Sequence, residues 1–419
     1  MKHAYPFAQA RMMVPLLNKP YNGQPLIYLD NAATTHKPQA VIDAISSFYT
    51  DAYGTTGRGL YRLAEQATSA YEAARGTVAH FLGAQHADEI VFTHGATESI
   101  NMVAYAWAAS QLAQGDTIVI SALEHHANLL VWQQIAAQTG AQLLIIPILP
   151  DGTLNMQQAE QLITKHTKLV ALCHISNLLG TPVEVKALAD LAHQVGAKIL
   201  VDASQSVPHG GVNVQELDCD MLVFSGHKIM GPTGIGICYL KHSLHDQLQP
   251  YQRGGGMVYS AAYQTATWRE MPYRLEAGTP PVAQAIGLAA ALNFFSTQLD
   301  VQAVHAHEAA LTKQLIHGLQ RIPGIQILGP VDELCTRGHL VSFVCSGIHA
   351  HDVAAYLSMH NICVRAGHHC AQPLAQMLGV LASVRVSFYW YNTADEVDFL
   401  LAVLTRLMTE NTALYSKLP

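Results

Sequence analysis

A lysine at the end of an apolar strand is the residue in this sequence most suited to covalent chemistry. Lys228 follows the apolar run 221–225 and precedes a glycine-rich turn that extends to Gly236. Because desolvation favours the neutral amine, a lysine in such a position can form a Schiff base with a carbonyl compound. Taken alone, the pattern also fits an ordinary surface lysine, so the neighbouring strand ends must decide between the two.

A carboxylate ends a second apolar strand. Asp202 follows the run 198–201, upstream of Lys228. In parallel sheets, ligands bind at the carboxyl ends of the strands. Asp202 could there pair with the pyridinium nitrogen of pyridoxal phosphate and sustain its capacity to accept electrons. A helix N-cap is the other interpretation of this aspartate, and the local pattern does not separate the two.

The third feature is a turn of small residues, Thr93-His-Gly-Ala-Thr-Glu-Ser99, between a predicted strand and a predicted helix. Such a turn presents backbone N–H groups and a helix N-terminus to a phosphate. A single glycine turn is weak evidence. An amine, a carboxylate and a phosphate cradle at three strand ends together predict a binding site for pyridoxal phosphate.

The rest of the chain alternates short apolar runs with longer alanine-rich stretches. Near-continuous apolar strands separated by helices indicate a mostly parallel sheet covered on both faces. The predicted strands are 89–93, 116–121, 141–146, 169–174, 198–202 and 221–225. The helices predicted among them are 97–114, 128–138 and 185–195.

The alternation of strands and helices changes after a long predicted helix at 283–295. Beyond it, shorter helices and strands suggest a second folding unit. We therefore expect an α/β fold with a large domain at 29–289 and a smaller α/β C-terminal domain at 290–419. Residues 1–28 are expected to pack with the smaller domain.

Composition excludes several classes of protein. Half of the 419 residues are hydrophobic and only 13% are charged, which excludes an intrinsically disordered chain. The net charge of −7 argues against nucleic acid or an anionic membrane as a partner. The longest apolar runs, such as 143–149, are far too short to cross a bilayer, and the N-terminus lacks a signal-peptide pattern. We expect a cytoplasmic globular protein.

Cysteine and histidine spacing gives no metal motif. The 7 cysteines are scattered without Cys-x-x-Cys spacing, so neither a disulfide framework nor a zinc ribbon is indicated. The 23 histidines include the adjacent pairs 125–126 and 368–369, but no His-Glu-x-x-His motif. We therefore expect no bound metal, and assign the histidines to polar or cofactor contacts.

Motifs along nearly the whole chain resemble those of the class V aminotransferase group of fold-type I pyridoxal-phosphate enzymes. The resemblance is most specific to cysteine desulfurases of the SUF or cysteine-sulfinate-desulfinase branch, because of Ser225-Gly-His-Lys228 and Arg365-Ala-Gly-His-His-Cys370. Further matching stretches are 28–34, 95–101, 124–128, 201–205 and 276–280. The resemblance implies a large domain built on a mostly parallel, seven-stranded sheet.

The resemblance also implies a role for each matching residue. Lys228 would bind the cofactor covalently and later move the Cα proton of the substrate. Asp202 would hold the pyridine nitrogen, Gln205 the phenolate oxygen, and His125 would stack on the ring and handle protons. The implied phosphate contacts are Ala96, Thr97, Ser225, His227 and, from the other subunit of a homodimer, Thr279. The implied contacts to the substrate carboxylate are Asn177 and Arg385, with Arg365 beside them.

Cys370 is the candidate nucleophile. Its neighbours Arg365, His368 and His369 form an electropositive setting that could favour the thiolate. Composition alone would favour an inert, buried cysteine, but the position of Cys370 inside the branch-specific motif reverses that interpretation. We expect the other six cysteines to be structural.

The activity implied by the resemblance is that of a pyridoxal 5'-phosphate-dependent cysteine desulfurase. It would convert L-cysteine to L-alanine, leaving a persulfide on Cys370 whose sulfur passes to an acceptor protein of the SufE or CsdE type, for iron–sulfur cluster assembly or related sulfur transfer. Two alternatives stay open. One is a selenocysteine lyase or cysteine-sulfinate desulfinase, and the other is a sulfur-relay scaffold without catalysis, against which Lys228, Asp202, Gln205 and His125 argue.

Two segments depart from the pattern of the family. The glycine run in Arg253-Gly-Gly-Gly-Met-Val258 is shifted by one place, and the segment 386–392 after Arg385 is bulkier than usual. Neither departure changes a residue with an implied catalytic role. Both could alter the packing of loops or the contacts with a partner.

Overall fold

The fold is described by a computed structural model that covers residues 7–57 and 59–415, with side chains to residue 410. Its strands are β1 (Ile27–Tyr28), β2 (Ile90–Thr93), β3 (Thr117–Ser121), β4 (Gln142–Ile146), β5 (Thr167–Cys173), β6 (Lys198–Asp202), β7 (Met221–Ser225), β8 (Gly236–Leu240), β9 (Val258–Ala261), β10 (Ala266–Trp268), β11 (Ile325–Leu328), β12 (Leu340–Cys345), β13 (Ile362–Cys363), β14 (Arg365–Gly367) and β15 (Ser383–Ser387).

The α-helices are α1 (Ala8–Met12), α2 (Gln39–Asp51), α3 (Arg62–Leu82), α4 (Ala96–Val103), α5 (Ala109–Gln111), α6 (Ala127–Thr139), α7 (Met156–Leu162), α8 (Val185–Gln194), α9 (Val214–Leu217), α10 (Val282–Gln298), α11 (Val301–Leu319), α12 (Val331–Arg337), α13 (Ala350–Ser358), α14 (Gln372–Met377) and α15 (Ala394–Tyr415). Among the described residues, no single helix is long and apolar enough to cross a membrane, although α10 and α11, bent by 87°, meet that criterion as a pair.

A seven-stranded sheet in the order β2-β8-β7-β6-β5-β3-β4 forms the centre of the molecule. The five strands from β7 to β4 are parallel, and β8 runs antiparallel to both of its neighbours. The strands β6 and β7 end at Asp202 and Ser225, which therefore lie at the same edge of the sheet. This edge is where ligands bind in parallel sheets.

Apolar side chains cover both faces of this sheet. One buried cluster contains Val201 and Phe224 and packs toward α3, α8 and α10, and a second contains Leu200 and Val223 and packs toward α4 and α6. Successive strand residues point to opposite faces, so both neighbours along each strand are buried. This explains why the strands are continuous apolar runs in the sequence.

A four-stranded antiparallel sheet in the order β11-β12-β15-β14 follows α10. Its apolar face packs with α11, α13 and α15 around Phe343 and Val386. The N-terminal strand β1 pairs in parallel with β13, so residues before the central sheet pack with the C-terminal part of the chain. The boundaries at residues 28 and 289 stay a prediction.

The predicted fold class, α/β with a mostly parallel seven-stranded sheet, is confirmed. The observed β6 and β7 have the bounds expected from the sequence. The predicted helix 97–114 instead begins at Ala96 and passes through a π-helical turn, Ala104–Ala108, before it ends in α5. The strand β8 and the helix α3 were not predicted.

The bulky segment after Arg385 is a core element. Phe388, Tyr389, Trp390 and Tyr391 are all fully buried. The Trp390 ring lies 6.2 Å from that of Phe7 and contacts α10. Large aromatic side chains therefore join the N-terminal residues to the end of β15.

We expect Trp390→Ala to destabilise the protein by about 3 to 5 kcal/mol, because it removes a fully buried ring and leaves a cavity. The measurement is the free energy of unfolding from denaturant titration of the parent and the variant. The control is Phe399→Ala, whose side chain is 45% exposed, and which should cost less than about 1 kcal/mol. Equal costs for the two substitutions would contradict this packing role.

Candidate active site

A cavity lies at the carboxyl ends of β5, β6 and β7, next to the N-terminus of α4. The residues that line it are Ala96, Thr97, His125, Ala127, Cys173, Ile175, Asn177, Asp202, Ser204, Gln205 and Lys228. The three features that the sequence analysis placed at separate strand ends, an amine, a carboxylate and a small-residue turn, therefore meet in one cavity.

The amine of Lys228 is desolvated. Burial lowers the pKa of Lys228 to about 8, and the nearby Asp202 carboxylate opposes this effect. Lys228 therefore carries an appreciable neutral fraction near neutral pH, which an ordinary lysine does not. A neutral amine is the form that attacks carbonyl carbon and accepts protons.

Asp202 is not a helix N-cap, because the 3₁₀ turn that follows it, Val207–His209, has Ser206 at that position. Its Oδ1 accepts a hydrogen bond of 3.0 Å from the backbone N–H of Ser204, which closes a local turn. The carboxylate also faces the cavity, where it can accept from a protonated ring nitrogen. Gln205, three residues on, donates from Nε2 to the Ala32 carbonyl at 2.8 Å, which fixes the orientation of its amide.

The small-residue turn approaches β8 closely. A Cβ on Gly236 would lie 2.4 Å from the Cα of Gly95, so this contact excludes any side chain. The backbone N–H of Ala96 donates to Ser225 Oγ at 2.9 Å. His227 lies beyond this turn, with its Nδ1 at 3.1 Å from Thr34 Oγ1, and lines an adjoining surface with Gly95.

His125 follows a buried carboxylate, Glu124, and its Nδ1 accepts a hydrogen bond of 3.1 Å from the backbone N–H of Ala127. Glu124 accepts hydrogen bonds from Asn128 Nδ2 at 2.7 Å, from the Cys173 backbone N–H at 2.9 Å and from the Ser121 hydroxyl. Burial raises the pKa of Glu124 to about 7. Burial, followed by the charge of Lys228, lowers the pKa of His125 to about 4, so its imidazole is neutral at neutral pH.

Two arginines share one carboxylate at the rim. The buried Arg385 donates to the Asn177 carbonyl at 2.8 Å and lies 3.2 Å from Asp30, whose other oxygen is 3.4 Å from Arg365. Burial lowers the pKa of Arg385 to about 10, so it stays charged at neutral pH. Two cations against one anion leave a net positive charge that suits an anionic ligand.

Cys370 lies at the surface in a constrained backbone. Both His369 and Cys370 have positive φ values, +54° and +56°, which non-glycine residues rarely adopt. The Cys370 carbonyl accepts from the His126 backbone N–H at 2.7 Å, and the His369 carbonyl accepts from Asn177 Nδ2 at 2.5 Å. These bonds fix the cysteine loop to residues adjoining the cavity.

The other cysteines differ from Cys370 in exposure. Those that are buried are Cys173, Cys219, Cys238 and Cys345, and those that are partly buried are Cys335 and Cys363. Burial raises the pKa of the thiol in each of them, which disfavours the thiolate.

Thr279 lies outside this cavity. It lines a separate cleft together with Tyr71, Gly255 and Arg269. The shifted glycine run borders this cleft, because the Gly255 carbonyl accepts from the backbone N–H of Gly278 at 2.8 Å. Within one chain, Thr279 is therefore not grouped with Lys228.

Sequence reasoning gave no role to Asp30, Glu124 or Cys173, nor to three further residues that line the cavity, which are Ala127, Ile175 and Ser204. Asp30 and Glu124 belong to motifs that the resemblance singled out, 28–34 and 124–128, but neither had been given a role. Cys173 ends β5, and its position at a strand end was the available signal.

The donor set fits pyridoxal 5'-phosphate. Asn177 Oδ1, Ser204 Oγ and Arg385 Nε are buried without a hydrogen-bond partner among the described residues, as expected where a polar ligand completes the site. Lys228 can bind its carbonyl, Asp202 its ring nitrogen, and the N-terminus of α4 its phosphate.

Comparison with known proteins agrees with this chemistry. The class-V aminotransferase family matches residues 27–400. The chain therefore belongs to the class-V aminotransferases, which use pyridoxal 5'-phosphate as cofactor.

Within that family, relatives that match most of this chain are cysteine desulfurases. The cysteine desulfurase of Haloferax volcanii is 46% identical over 90% of this chain and 88% of its own. That of Cronobacter sakazakii is 42% identical over 96% and 98%.

Solved structures agree with the sequence relatives. The apo cysteine desulfurase of Thermococcus onnurineus NA1 superimposes with a TM-score of 0.91 at 39% identity, covering 96% of this chain and 98% of that one. The cysteine desulfurase CsdA of Escherichia coli, in an S-sulfonic acid form, gives 0.88 at 38% identity with the same coverage.

We expect Lys228→Ala to lower turnover by about 10²- to 10⁴-fold or more, because it removes the amine at the reacting centre. Borohydride reduction of the parent holoenzyme followed by peptide mass spectrometry should find the cofactor on Lys228. The matched control is Lys37, whose pKa burial also lowers to about 8, but whose Nζ donates to the Thr35 and His227 carbonyls. Reduced cofactor on Lys37, or on any other lysine, would refute the assignment.

Proposed function

We propose that this protein is a pyridoxal 5'-phosphate-dependent cysteine desulfurase that converts L-cysteine to L-alanine and carries the sulfur as a persulfide on Cys370. The observation that carries the proposal is the attachment of the Cys370 loop, through His126 and Asn177, to the cavity that contains Lys228. Relatives at 42–46% identity over most of the chain, all cysteine desulfurases, support it.

The substrate carboxylate is held by Arg385, with Asn177 beside it. Arg385 is charged and almost fully buried, and its guanidinium offers a planar fork that suits a carboxylate. Asp30 occupies one side of that fork, so substrate competes with Asp30 for Arg385 or binds to its remaining N–H groups. Arg365, which is about half exposed, adds positive charge at the entrance.

Lys228 moves the proton on the substrate Cα. Its lowered pKa makes the neutral amine available to accept that proton near neutral pH. The bound cofactor supplies an electron sink for the pair of electrons left on the carbon. Asp202 would hold the ring nitrogen protonated, Gln205 would contact the phenolate oxygen, and the neutral His125 would stack on the ring and handle protons. Ala96, Thr97, Ser225 and His227 would contact the phosphate.

Cys370 takes the sulfur. Its thiolate forms a bond to the substrate sulfur while the Cβ–S bond breaks, and the electron pair of that bond returns to the substrate carbon skeleton. Proton uptake then releases alanine. Because Cys370 is exposed, the persulfide can be reached from solvent by an acceptor thiol.

The sulfur passes from Cys370 to an acceptor protein of the SufE or CsdE type, for iron–sulfur cluster assembly or related sulfur transfer in the cytoplasm. The segment between Cys370 and Arg385 is compact, since α14 and β15 occupy most of it. A short loop cannot carry the persulfide far from the cavity, so the acceptor must come to it.

We expect Cys370→Ala to lower alanine formation from L-cysteine by orders of magnitude, because an unactivated thiol leaves only when a nucleophile attacks its sulfur. Selenocysteine and cysteine sulfinate have better leaving groups, so the variant should retain substantial activity on both. The measurement is alanine formation on all three substrates, with cofactor absorbance as a check on binding. Cys335→Ala, a partly buried cysteine in α12, is the matched control and should behave as the parent.

Mass spectrometry of the parent after incubation with L-cysteine should locate an added mass of about 32 Da, one sulfur atom, on Cys370. A persulfide on another cysteine, or equal activity of Cys370→Ala on all three substrates, would refute Cys370 as the nucleophile. A parent enzyme that acts only on selenocysteine or cysteine sulfinate would favour those activities instead. If the parent enzyme turned over none of the three substrates, the remaining interpretation would be a sulfur-relay scaffold without catalysis.

We further propose a homodimer in which Thr279 contacts the phosphate bound by the other subunit. Its position outside the cavity of its own chain supports this, because a phosphate contact from Thr279 then requires a second copy.

Mixing a Lys228→Ala chain with a Thr279→Ala chain should restore partial activity, since a heterodimer has one site with both defects and one with neither. The measurement is turnover after co-refolding or co-expression, compared with each homodimer alone. A fully active monomer by light scattering, or no activity in verified heterodimers, would overturn the shared site.

A further inference from the structure

A cluster of imidazole and carboxylate groups lies at the end of β2 and β8 remote from the cavity. The two strands are antiparallel, with Thr93 opposite Gly236 at the cofactor edge and Ile90 opposite Tyr239 toward the other. Asp88 precedes β2 and His242 follows β8, so both lie just beyond that second end. The cluster is therefore separate from the catalytic residues.

The ligand atoms of the cluster converge. One nitrogen from each of His242 and His245 and one oxygen of Asp88 all lie within 4.8 Å of one another. The two histidines are three residues apart on a 3₁₀ turn, His242–Gln247, which places their side chains on the same side. The Nδ1 of His242 is 3.9 Å from Asp88 Oδ1.

An independent observation concerns the oxygen of Asp88. Asp88 Oδ1 is itself buried and has no hydrogen-bond partner among the described residues. The 3.9 Å to His242 is too long for a hydrogen bond. The Asp88 side chain as a whole is 41% exposed, but its Oδ1 is shielded from solvent without a donor, and a cation between it and the imidazoles would satisfy it.

We propose that Asp88, His242 and His245 bind a divalent transition-metal ion, Zn²⁺ in the first instance. Two imidazoles and a carboxylate are ligands that zinc prefers, at about 2.0 to 2.2 Å each. Ligand atoms at tetrahedral positions around such an ion are about 3.3 Å apart, so the three atoms, which lie within 4.8 Å of one another, must approach by side-chain rotation to close the site. His86, whose ring lies 5.4 Å from that of His242, is near enough to offer a fourth ligand, with water as the alternative.

The ion would reinforce a contact that the chain already makes. The Glu89 carboxylate accepts from the backbone N–H of His242 at 2.9 Å, which ties the start of β2 to the residue after β8. Because β2 is an edge strand of the sheet and pairs with β8 alone, a metal at this point would stabilise that pairing without entering the chemistry.

The test is zinc binding by the purified holoenzyme, by competition with a chromophoric chelator and by native mass spectrometry. The parent should bind one more Zn²⁺ per chain than His242→Ala or His245→Ala, and Asp88→Asn should weaken that site at least about tenfold. Co²⁺ should give the visible absorption of a site with nitrogen and oxygen ligands in the parent only. Cys370 is present in every variant, so any zinc on its thiol cancels in the comparison.

The control is His317→Ala, an exposed histidine on α11, which should bind zinc as the parent does. Desulfurase activity should be equal in all of these variants, which keeps this test distinct from that of the proposed function. Equal zinc stoichiometry and affinity in the parent, His242→Ala and Asp88→Asn would overturn the proposal. The same loss in His317→Ala would also overturn it, because it would indicate non-specific binding to surface histidines.

Discussion

The burial of Arg385 and Lys228 beside one cavity is the constraint on which the rest of the site depends. Moving a charge out of water is costly unless it is paired or neutralised. This cost is reduced differently for the two residues. Burial lowers the pKa of Lys228 to about 8, which favours its neutral form, whereas Arg385 stays charged and contacts Asp30. Asp202 faces the same cavity and offsets part of this positive charge, so the net positive charge that suits an anionic ligand comes from Arg385 and Arg365 against the single carboxylate of Asp30.

Both sheets contribute charged residues to the site. Asp202 ends β6 of the central sheet and Lys228 lies in the 3₁₀ turn after β7. Arg385 and Arg365 lie on neighbouring strands, β15 and β14, of the small antiparallel sheet. Asp30, just after β1, bridges the two arginines. A displacement between the sheets would therefore alter the charge at the substrate position as well as the packing.

Local sequence patterns were sufficient to predict the structure where a single segment determines it. The bounds of β6 and β7 follow from uninterrupted apolar runs, and the turn before α4 follows from small residues at a helix start. The strand β8 was missed because it directly follows the glycine-rich turn, which hides its start. Asp30 and the group of Asp88, His242 and His245 were also missed, since each acquires its meaning from residues distant in the sequence. Contacts of this kind cannot be predicted from the spacing of residues in the sequence.

The backbone of the cysteine loop is strained. Positive φ at two successive non-glycine residues, His369 and Cys370, costs about 1 to 3 kcal/mol each and persists only where neighbouring contacts enforce it. The bonds from His126 and Asn177 to the carbonyls of these two residues provide that enforcement. Asn177 also lines the cavity, so one side chain joins the cysteine loop to the surroundings of Lys228 and Asp202. The conformation of the loop therefore depends on a side chain that also shapes the cavity.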